Sequence, residues 1–431
     1  MKIAIAGFGQ EGRANYDYWN SPEHQLTIVD ERETIENIPE GVDTILGLGA
    51  FSNLTDFDMV VRTAGLSPDK ITTNGKIWSL TNEFFEKCPA PIIGVTGTKG
   101  KGTTCSLIAS ILKADNENVH LVGNIGIPAL SELKNIAADD IVVFELSSFQ
   151  LWDIKKSPET AVVLKVEPDH LDVHKDMNEY VTAKAQIARY MTSEQVVYYH
   201  PTYEYSKQVA TMYAIATTKR YNIPDDGAAY VEDGQFMYQG HQICSTNIMQ
   251  IPGAHNIENA CAAISAAFEY TRSKAAIERG LSSFTGLPHR LKFIREVGGV
   301  QYFDDSYSSA PSAAIAALSA YSKPQILLLG GYDKGASFEA LAEALQQSSV
   351  KKAVVYGQTR DKIVVALRAA NVQEERIQIM ETNDFQKIVT TSAELADEGD
   401  VVVLSPACAS FDMFKNFTER GEKFIAIVES L

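Results

Sequence analysis

Short apolar stretches recur along this chain, each ending on a glycine or a charged residue, and most are followed by helical spacing. Ile3–Ala6 is the first, with a helical pattern behind it from Ala14 to Trp19. Leu26–Val29 ends on Asp30, and Asp58–Arg62 runs into the turn Thr63-Ala-Gly-Leu-Ser-Pro68. Ile92–Val95 breaks into a glycine loop, after which Leu107, Ile108, Ile111 and Leu112 mark a helix from Thr104. Ile141–Phe144 and Thr160–Val166 predict two more buried parallel strands, and Met177–Met191 predicts a helix. Between residues 196 and 250, strand-like segments alternate with turns at Asp233-Gly234 and Gln239-Gly240. An alanine-rich helix reaches Tyr270, a shorter one spans Lys274–Leu281, and Phe284-Thr-Gly-Leu-Pro288 reads as a hinge. Beyond it the strands Val300–Phe303, Gln325–Leu329, Lys352–Tyr356, Arg376–Met380 and Asp400–Leu404 alternate with helices. That alternation predicts a doubly wound α/β sheet.

The glycine loop carries the first chemistry. Gly94, Gly97, Gly100 and Gly102 surround Lys101 between a buried strand and a helix start. Backbone without side chains can turn its N–H groups inward, the helix N-terminus adds partial positive charge, and Lys101 can reach the β- and γ-phosphates of ATP. The residue after Lys101 is Gly102, so a hydroxyl for Mg²⁺ has to come from Thr103, Thr104 or elsewhere. Upstream, Gly7-Phe-Gly9-Gln10-Glu11-Gly12 with Asp30 matches a dinucleotide fingerprint. Fewer than ninety residues precede the phosphate loop, which leaves room for a half-size unit only. The fingerprint can be read as NAD binding, as a structural turn, or as a seat for the diphosphate of another ligand, and the last fits best.

Further strand ends are rich in polar groups. Glu145 closes one apolar run and His170 lies just past another, a pairing that suits Mg²⁺ beside a phosphate loop. Lys184 sits among alanines and apolar residues on its helix, where a buried, unpaired ammonium is costly. Composition alone makes it a lysine that extends its amine to solvent. Asn256 and Asn259 are three apart and so share a helical face.

With 431 residues, 45% hydrophobic and 22% charged, the chain is long enough for two or three domains with large cores. The net charge of −17 argues against a nucleic-acid partner. No apolar run reaches membrane-spanning length, and the N-terminus lacks a signal-peptide pattern. Five scattered cysteines, none in a metal-ligand pair, suit a reducing cytoplasm.

Three features coincide: Gly94-x-Thr-Gly-Thr-x-Gly-Lys101, Glu145 with His170, and a distal hydroxyl-rich loop. Together they resemble the Mur ligase family, ATP-dependent amino-acid-adding enzymes of peptidoglycan precursor synthesis. The stretch Ser405-Pro-Ala-Cys-Ala-Ser-Phe-Asp-Met-Phe-Lys-Asn-Phe-x-x-Arg-Gly421 is similar to the D-glutamate-adding branch of that family. Gly123-Asn-Ile-Gly-x-Pro-Ala-Leu130 and Gly330-Gly-x-x-Lys334 agree with it. The resemblance covers the whole chain and implies an α/β protein of three domains. These are a small Rossmann-like domain at 1–87, a central P-loop ATPase domain with a parallel sheet at 88–287, and a Rossmann-like doubly wound domain at 288–431.

What the resemblance implies for the site can be stated residue by residue. Gly97, Thr98, Lys99, Gly100, Lys101, Gly102, Thr103 and Thr104 would hold ATP, together with Asn256, Asn259, Arg290 and Asp305. Glu145, His170, Thr103 and Lys184 would hold Mg²⁺, with Lys184 carbamylated by CO₂; Lys101, His170 and Lys184 would be the catalytic residues. Gly7, Gly9, Gln10, Glu11, Gly12 and Asp30 would line a uridine-nucleotide pocket, and Asn124 would touch the same substrate. Lys334, Ser410, Phe411 and Phe417 would serve the amino acid. The substrates implied are UDP-N-acetylmuramoyl-L-alanine and D-glutamate, handled by a cytoplasmic monomer with no membrane and no nucleic-acid partner.

Three spellings depart from the family. Lys101-Gly102-Thr103 is closer to the folylpolyglutamate synthetases, Tyr307 and Ser309 replace Lys and Thr, and Gln10-Glu11 replaces smaller residues. A folylpolyglutamate synthetase lacks the N-terminal fingerprint and the Ser405–Gly421 signature. A guanine-nucleotide switch would carry Asn-Lys-x-Asp, which is absent. A non-catalytic nucleotide-sugar sensor is the remaining alternative.

Overall fold

A parallel strand covered on both faces must be apolar on both, which is why the buried runs here do not alternate. The computed structural model describes residues 1–124, 129–171, 173–213, 215–224, 226–251, 253–318 and 320–431. Ile125, Gly126 and Pro128, named above within the motif Gly123–Leu130, lie outside the described residues, as does the side chain of Gln10.

The first sheet contains β1 (Lys2–Ala6), β2 (Gln25–Asp30), β3 (Asp43–Leu46), β4 (Met59–Arg62) and β5 (Lys76–Ser79). Its order is β3-β2-β1-β4-β5 and every pairing is parallel. Five strands are more than the half-size unit expected from the length. They fit because the connections are short: one full helix, Gln10–Trp19, joins β1 to β2. The connection from β2 to β3 carries no helix, and the last two carry only the 3₁₀ turns Ala50–Ser52 and Pro68–Lys70. β3 escapes a sequence reading because, as an edge strand, it is largely exposed.

The second sheet is built from β6 (Ile92–Thr96), β7 (Val119–Gly123), β8 (Ile141–Glu145), β9 (Thr160–Val163), β10 (Val196–Tyr199) and β11 (Thr217–Arg220). The order β11-β10-β9-β6-β8-β7 puts β6 at the centre, parallel to β8 on one side and β9 on the other. The chain leaves β6 first toward β7 and β8, then crosses to β9. That makes the carboxyl end of β6 a topological switch point, where ligands bind in open α/β sheets. An antiparallel meander follows: β12 (Ala229–Glu232), β13 (Gln235–Tyr238) and β14 (His241–Ser245), turning at the two X-Gly pairs read from the sequence.

The last sheet holds β15 (Lys292–Val297), β16 (Val300–Asp304), β17 (Gln325–Gly330), β18 (Val350–Tyr356), β19 (Ile377–Ile379) and β20 (Val401–Leu404). Its order is β15-β16-β20-β17-β18-β19, parallel except for the antiparallel edge strand β15. β15 alternates half-buried and exposed positions, a pattern weaker than the continuous apolar runs behind it.

Helix bounds differ from the sequence reading at two functional places. The helix after the glycine loop begins at Lys101, three residues earlier than expected. The helix from Met177 stops at Ala185 and tightens into a 3₁₀ turn, Gln186–Ala188. Two compact units result, Met1–Gln250 with Ala254–Phe284 and Ile251–Gly253 with Thr285–Leu431, and the break after Phe284 falls in the predicted hinge. Among the described residues no helix is long and apolar enough to cross a membrane.

Both faces of the central sheet are packed. One carries the helices Lys101–Ala114 and Ala254–Ala267, and the other buries Phe84, Phe85 and Phe144 with Ile92 and Val142. Phe144 meets the Phe84 and Phe85 rings at centroid distances of 5.3 and 5.5 Å. Its removal would leave a cavity beneath the strand that carries Glu145. Phe144→Ala should therefore destabilise the first unit by about 3–5 kcal/mol, read as a lower urea midpoint. An unchanged midpoint would show that this cluster does not support the strand.

Candidate active site

At the end of β6 the chain turns through Gly97, Thr98, Lys99 and Gly100 into the helix Lys101–Ala114. Thr98 fixes the loop to the exit of β9. Its N–H donates to the Lys165 carbonyl (2.7 Å), and its hydroxyl contacts the Glu167 carbonyl (3.0 Å) and the Tyr180 hydroxyl (2.9 Å). Gly100 is left-handed, with φ +85°, and a Cβ there would lie 2.4 Å from Asn259 Oδ1. Only glycine satisfies both demands. The first intrahelical bond is Thr104 N–H to Gly100 C=O, so the helix N-terminus and its partial positive charge lie at this loop, where an anion can bind.

Lys101 folds back over this loop, its Nζ donating to the Gly97 carbonyl (3.0 Å) and the Thr98 carbonyl (3.2 Å). Lys184, from the helix Met177–Ala185, reaches the same Gly97 carbonyl (3.0 Å). It is 1% exposed and its Nζ lies 4.5 Å from the Tyr180 ring centroid. The outward-reaching lysine suggested by composition is thus excluded. Burial, reinforced by the Lys101 charge and only partly opposed by Asp169, holds the Lys184 amine well below the ordinary lysine value. A neutral amine here can act as a nucleophile toward an electrophile such as CO₂.

Glu145 ends β8, nearly buried, and its Oε1 accepts from Asn124 Nδ2 (3.2 Å). His170 has φ +54° and is half exposed, its Nε2 3.8 Å from the Asp169 carboxylate. Its ring lies 4.9 Å from that of Phe149, which stacks on the buried His174 at 5.3 Å and 8°. His174 Nε2 pairs with Ser148 Oγ at 2.9 Å. Sequence reasoning passed over Phe149 and His174. Of the hydroxyls after Lys101, Thr103 is half exposed, while Thr104 is sealed in the core with its Oγ lacking a hydrogen-bond partner. No group of three or more His, Cys, Asp or Glu able to hold a metal ion exists among the described residues. One carboxylate, one imidazole and one hydroxyl do not form a closed cage. As donor types they suit Mg²⁺, which keeps several waters and takes other ligands from phosphate. Asn256 and Asn259 do share a face, joined by a 3.3 Å hydrogen bond from Asn259 Nδ2.

In the first sheet the fingerprint turn is internally tied. Phe8 N–H donates to Asp30 Oδ2 (2.8 Å), and Arg32, absent from the sequence reading, pairs with both Asp30 oxygens. Arg32 chiefly, with the Phe8 amide, lowers the Asp30 pKa to about 2 against the effect of burial. A Cβ at Gly12 would fall 1.9 Å from the Gly7 carbonyl, so helix and turn approach as closely as glycine permits. Glu11 accepts from the Ala64 N–H (2.9 Å), and its burial raises its pKa.

The second unit gathers its own candidates. Asp305 accepts from Ser308 Oγ (2.5 Å), Ser405 Oγ (2.7 Å) and Leu291 N–H (3.2 Å). Arg290 lies over the Tyr307 ring (4.4 Å), and that ring meets Phe417 edge-on at 5.2 Å. Lys334 Nζ stands 5.6 Å from the Phe411 centroid, and Ser410 is buried. Arg420, also unforeseen as a site-builder, is fully buried and donates to Ser306 Oγ and to the carbonyls of Ser306, Cys408 and Ala409. It holds the loops that carry Tyr307 and Ser410.

Two family models match the chain, the Mur ligase middle domain over residues 95–267 and the Mur ligase glutamate ligase domain over residues 289–408. Together with the phosphate loop at the switch point, this makes the chain a member of the Mur ligase family, whose enzymes are ATP-dependent ligases that require Mg²⁺. Its relatives include UDP-N-acetylmuramoylalanine–D-glutamate ligase of Clostridium kluyveri, 36% identical over all of this chain and 97% of that protein. The same-named protein of Acetivibrio thermocellus is 37% identical over 100% and 96%. Similar solved structures are UDP-N-acetylmuramate-alanine ligase MurC of Thermotoga maritima (TM-score 0.61, 18% identity, 100% and 99% covered) and MurF of Acinetobacter baumannii (TM-score 0.62, 16% identity, 87% and 85% covered).

Asp305 yields a pH prediction. Burial outweighs its three hydrogen bonds and raises its pKa from 3.8 to about 6. The folded state then binds a proton that the unfolded state releases, so stability falls as pH rises from about 4 to about 6. The loss is up to roughly 3 kcal/mol. Asp305→Asn should remove this decline from the pH profile of the second unit's Tm. A variant that follows the parent profile would show that Asp305 titrates normally.

Proposed function

We propose that this protein is an ATP-dependent ligase that joins D-glutamate to UDP-N-acetylmuramoyl-L-alanine in the cytoplasm, as a step of peptidoglycan precursor synthesis. The supporting observation is the buried, neutral-leaning Lys184 directed at the same carbonyl as the phosphate-loop lysine. Such an amine has little use in simple nucleotide binding and fits carbamylation. In this reading residues 1–87 hold the uridine nucleotide, with Gly7, Gly9, Gln10, Glu11, Gly12 and Asp30 about its diphosphate and Asn124 nearby. Residues 88–287 hold ATP through Gly97 to Thr104, Asn256 and Asn259. Residues 288–431 add Arg290 and Asp305 to the nucleotide and present D-glutamate with Lys334, Ser410, Phe411 and Phe417.

The alanyl carboxylate attacks the γ-phosphate of ATP and ADP departs. The neutral amine of D-glutamate then attacks the acyl phosphate, and the tetrahedral intermediate expels phosphate and gives up the amine's proton to leave the amide. Lys101 and the loop amides hold the phosphates and neutralise charge as it moves, the largest contribution a protein makes to phosphoryl transfer. Glu145, His170, Thr103 and carbamylated Lys184 would hold Mg²⁺, which when bound balances the charge of the β- and γ-phosphates. As a carbamate, Lys184 changes from a cation that repels Lys101 and a metal into an anion that attracts them. At ~4 Å and an effective dielectric of ~20, each such charge pair is worth on the order of 4 kcal/mol.

Phosphate release measured with each substrate omitted in turn tests the assignment. Release should require ATP, UDP-N-acetylmuramoyl-L-alanine and D-glutamate together, and release without the amino acid at the full rate would contradict it. Lys184→Ala should fold yet be nearly inactive, with partial recovery when a small carboxylic acid is added. Lys184→Arg should stay inactive under the same treatment, because guanidinium keeps the wrong charge and fills the space. An Lys184→Arg enzyme as active as the parent would rule out the carbamate.

A further inference from the structure

Arg62, at the end of β4, is fully buried within the first unit, yet it belongs to neither set of candidate residues. All of its guanidinium nitrogens are engaged. Nε and Nη2 donate to the two oxygens of Asp153 at 3.0 and 2.5 Å. Nη1 reaches the carbonyls of Thr63, Ala64 and Leu66 at 3.2, 3.2 and 3.1 Å, and Nη2 also reaches the Phe149 carbonyl at 3.1 Å. A buried guanidinium with every donor used is held in one orientation.

Its two sets of partners belong to different sheets. The turn 63–66 lies against the fingerprint glycines: Thr63 Oγ would be 2.5 Å from a Cβ at Gly7, and the Ala64 N–H donates to Glu11. Phe149 and Asp153 follow Glu145 in the chain, and the Phe149 ring stands between His170 and His174. The turn has bonds of its own, from Thr63 N–H to Ala6 C=O (3.0 Å) and from Leu66 N–H to Thr63 C=O (3.1 Å). Without Arg62 the turn would keep these bonds but lose the donor to its Thr63, Ala64 and Leu66 carbonyls, and with it the direct tie to Asp153 and Phe149. Asn82, which bonds to Asp153 C=O and Lys155 N–H, would remain as a separate link.

We infer that Arg62 and Asp153 are a positioning pair that fixes the spacing between the uridine-nucleotide end of the substrate and the end where its carboxylate is phosphorylated. The inference rests on the ligase reading above. A substrate anchored at one end and reacting at the other needs the two anchors at a constant separation, and a shift of about 1 Å can cost on the order of a hundredfold in rate.

The test replaces both partners, Arg62→Met with Asp153→Leu, since exchanging a buried ion pair for apolar side chains generally preserves folding. Binding of UDP alone and of a non-hydrolysable ATP analogue alone is measured beside kcat/KM for UDP-N-acetylmuramoyl-L-alanine. Both affinities should stay within about threefold of the parent while kcat/KM falls about a hundredfold. Should the double variant not fold, Arg62→Lys serves, because an ammonium can pair with Asp153 but cannot span both the turn and Phe149. The same split, about tenfold, is expected. Unchanged kcat/KM, or a UDP affinity that falls as far as kcat/KM, would overturn the inference. An inactive parent enzyme would overturn the ligase reading, and this inference with it.

Discussion

One carbonyl oxygen carries the central constraint. Gly97 C=O accepts from Lys101 and from Lys184, so two amines that are ordinarily both charged converge on a single acceptor. Lys101 is only partly buried, whereas Lys184 is sealed from water. Burial and the neighbouring positive charge act in the same direction on Lys184, so its amine is held well below the ordinary lysine value. The phosphate loop, the Tyr180 ring and the helix Met177–Ala185 are all arranged about that outcome.

The fold places this contact where a ligand can use it. β6 lies at the reversal of strand order, with Glu145 at the tip of β8 on one side and the exit of β9, clamped to Thr98, on the other. The helix Ala254–Ala267 brings Asn259 against the loop at Gly100, where the left-handed backbone (φ +85°) favours glycine. Each of these elements is held by apolar packing behind its tip. Polar groups can then be left exposed at the strand tips without loss of the core.

Much of this was legible in the sequence. The apolar strands, the glycine loop with its lysine, Glu145 at a strand tip and the shared face of Asn256 and Asn259 all follow from local periodicity and spacing. The edge strands β3 and β15 were not, because strands half open to solvent carry a diluted pattern. Arg62, Arg32, Arg420 and the stack of Phe149 on His174 were not either. Except for Arg32, whose partner Asp30 is two residues away, their partners lie far away in sequence or bond through backbone carbonyls, which no spacing rule records. The number of strands in the first domain was not legible for a related reason: strand count depends on the size of the connections, and short turns there replace helices.

The most direct test concerns the charge state of Lys184. The protein, equilibrated with ¹³C-labelled bicarbonate at neutral to mildly alkaline pH, would be examined by ¹³C NMR beside the Lys184→Arg variant. The account predicts a carbamate carbon signal in the parent that is absent from the variant, because only a neutral amine adds CO₂. Spectra without such a signal in either protein, in a parent enzyme that turns over its substrates, would contradict it.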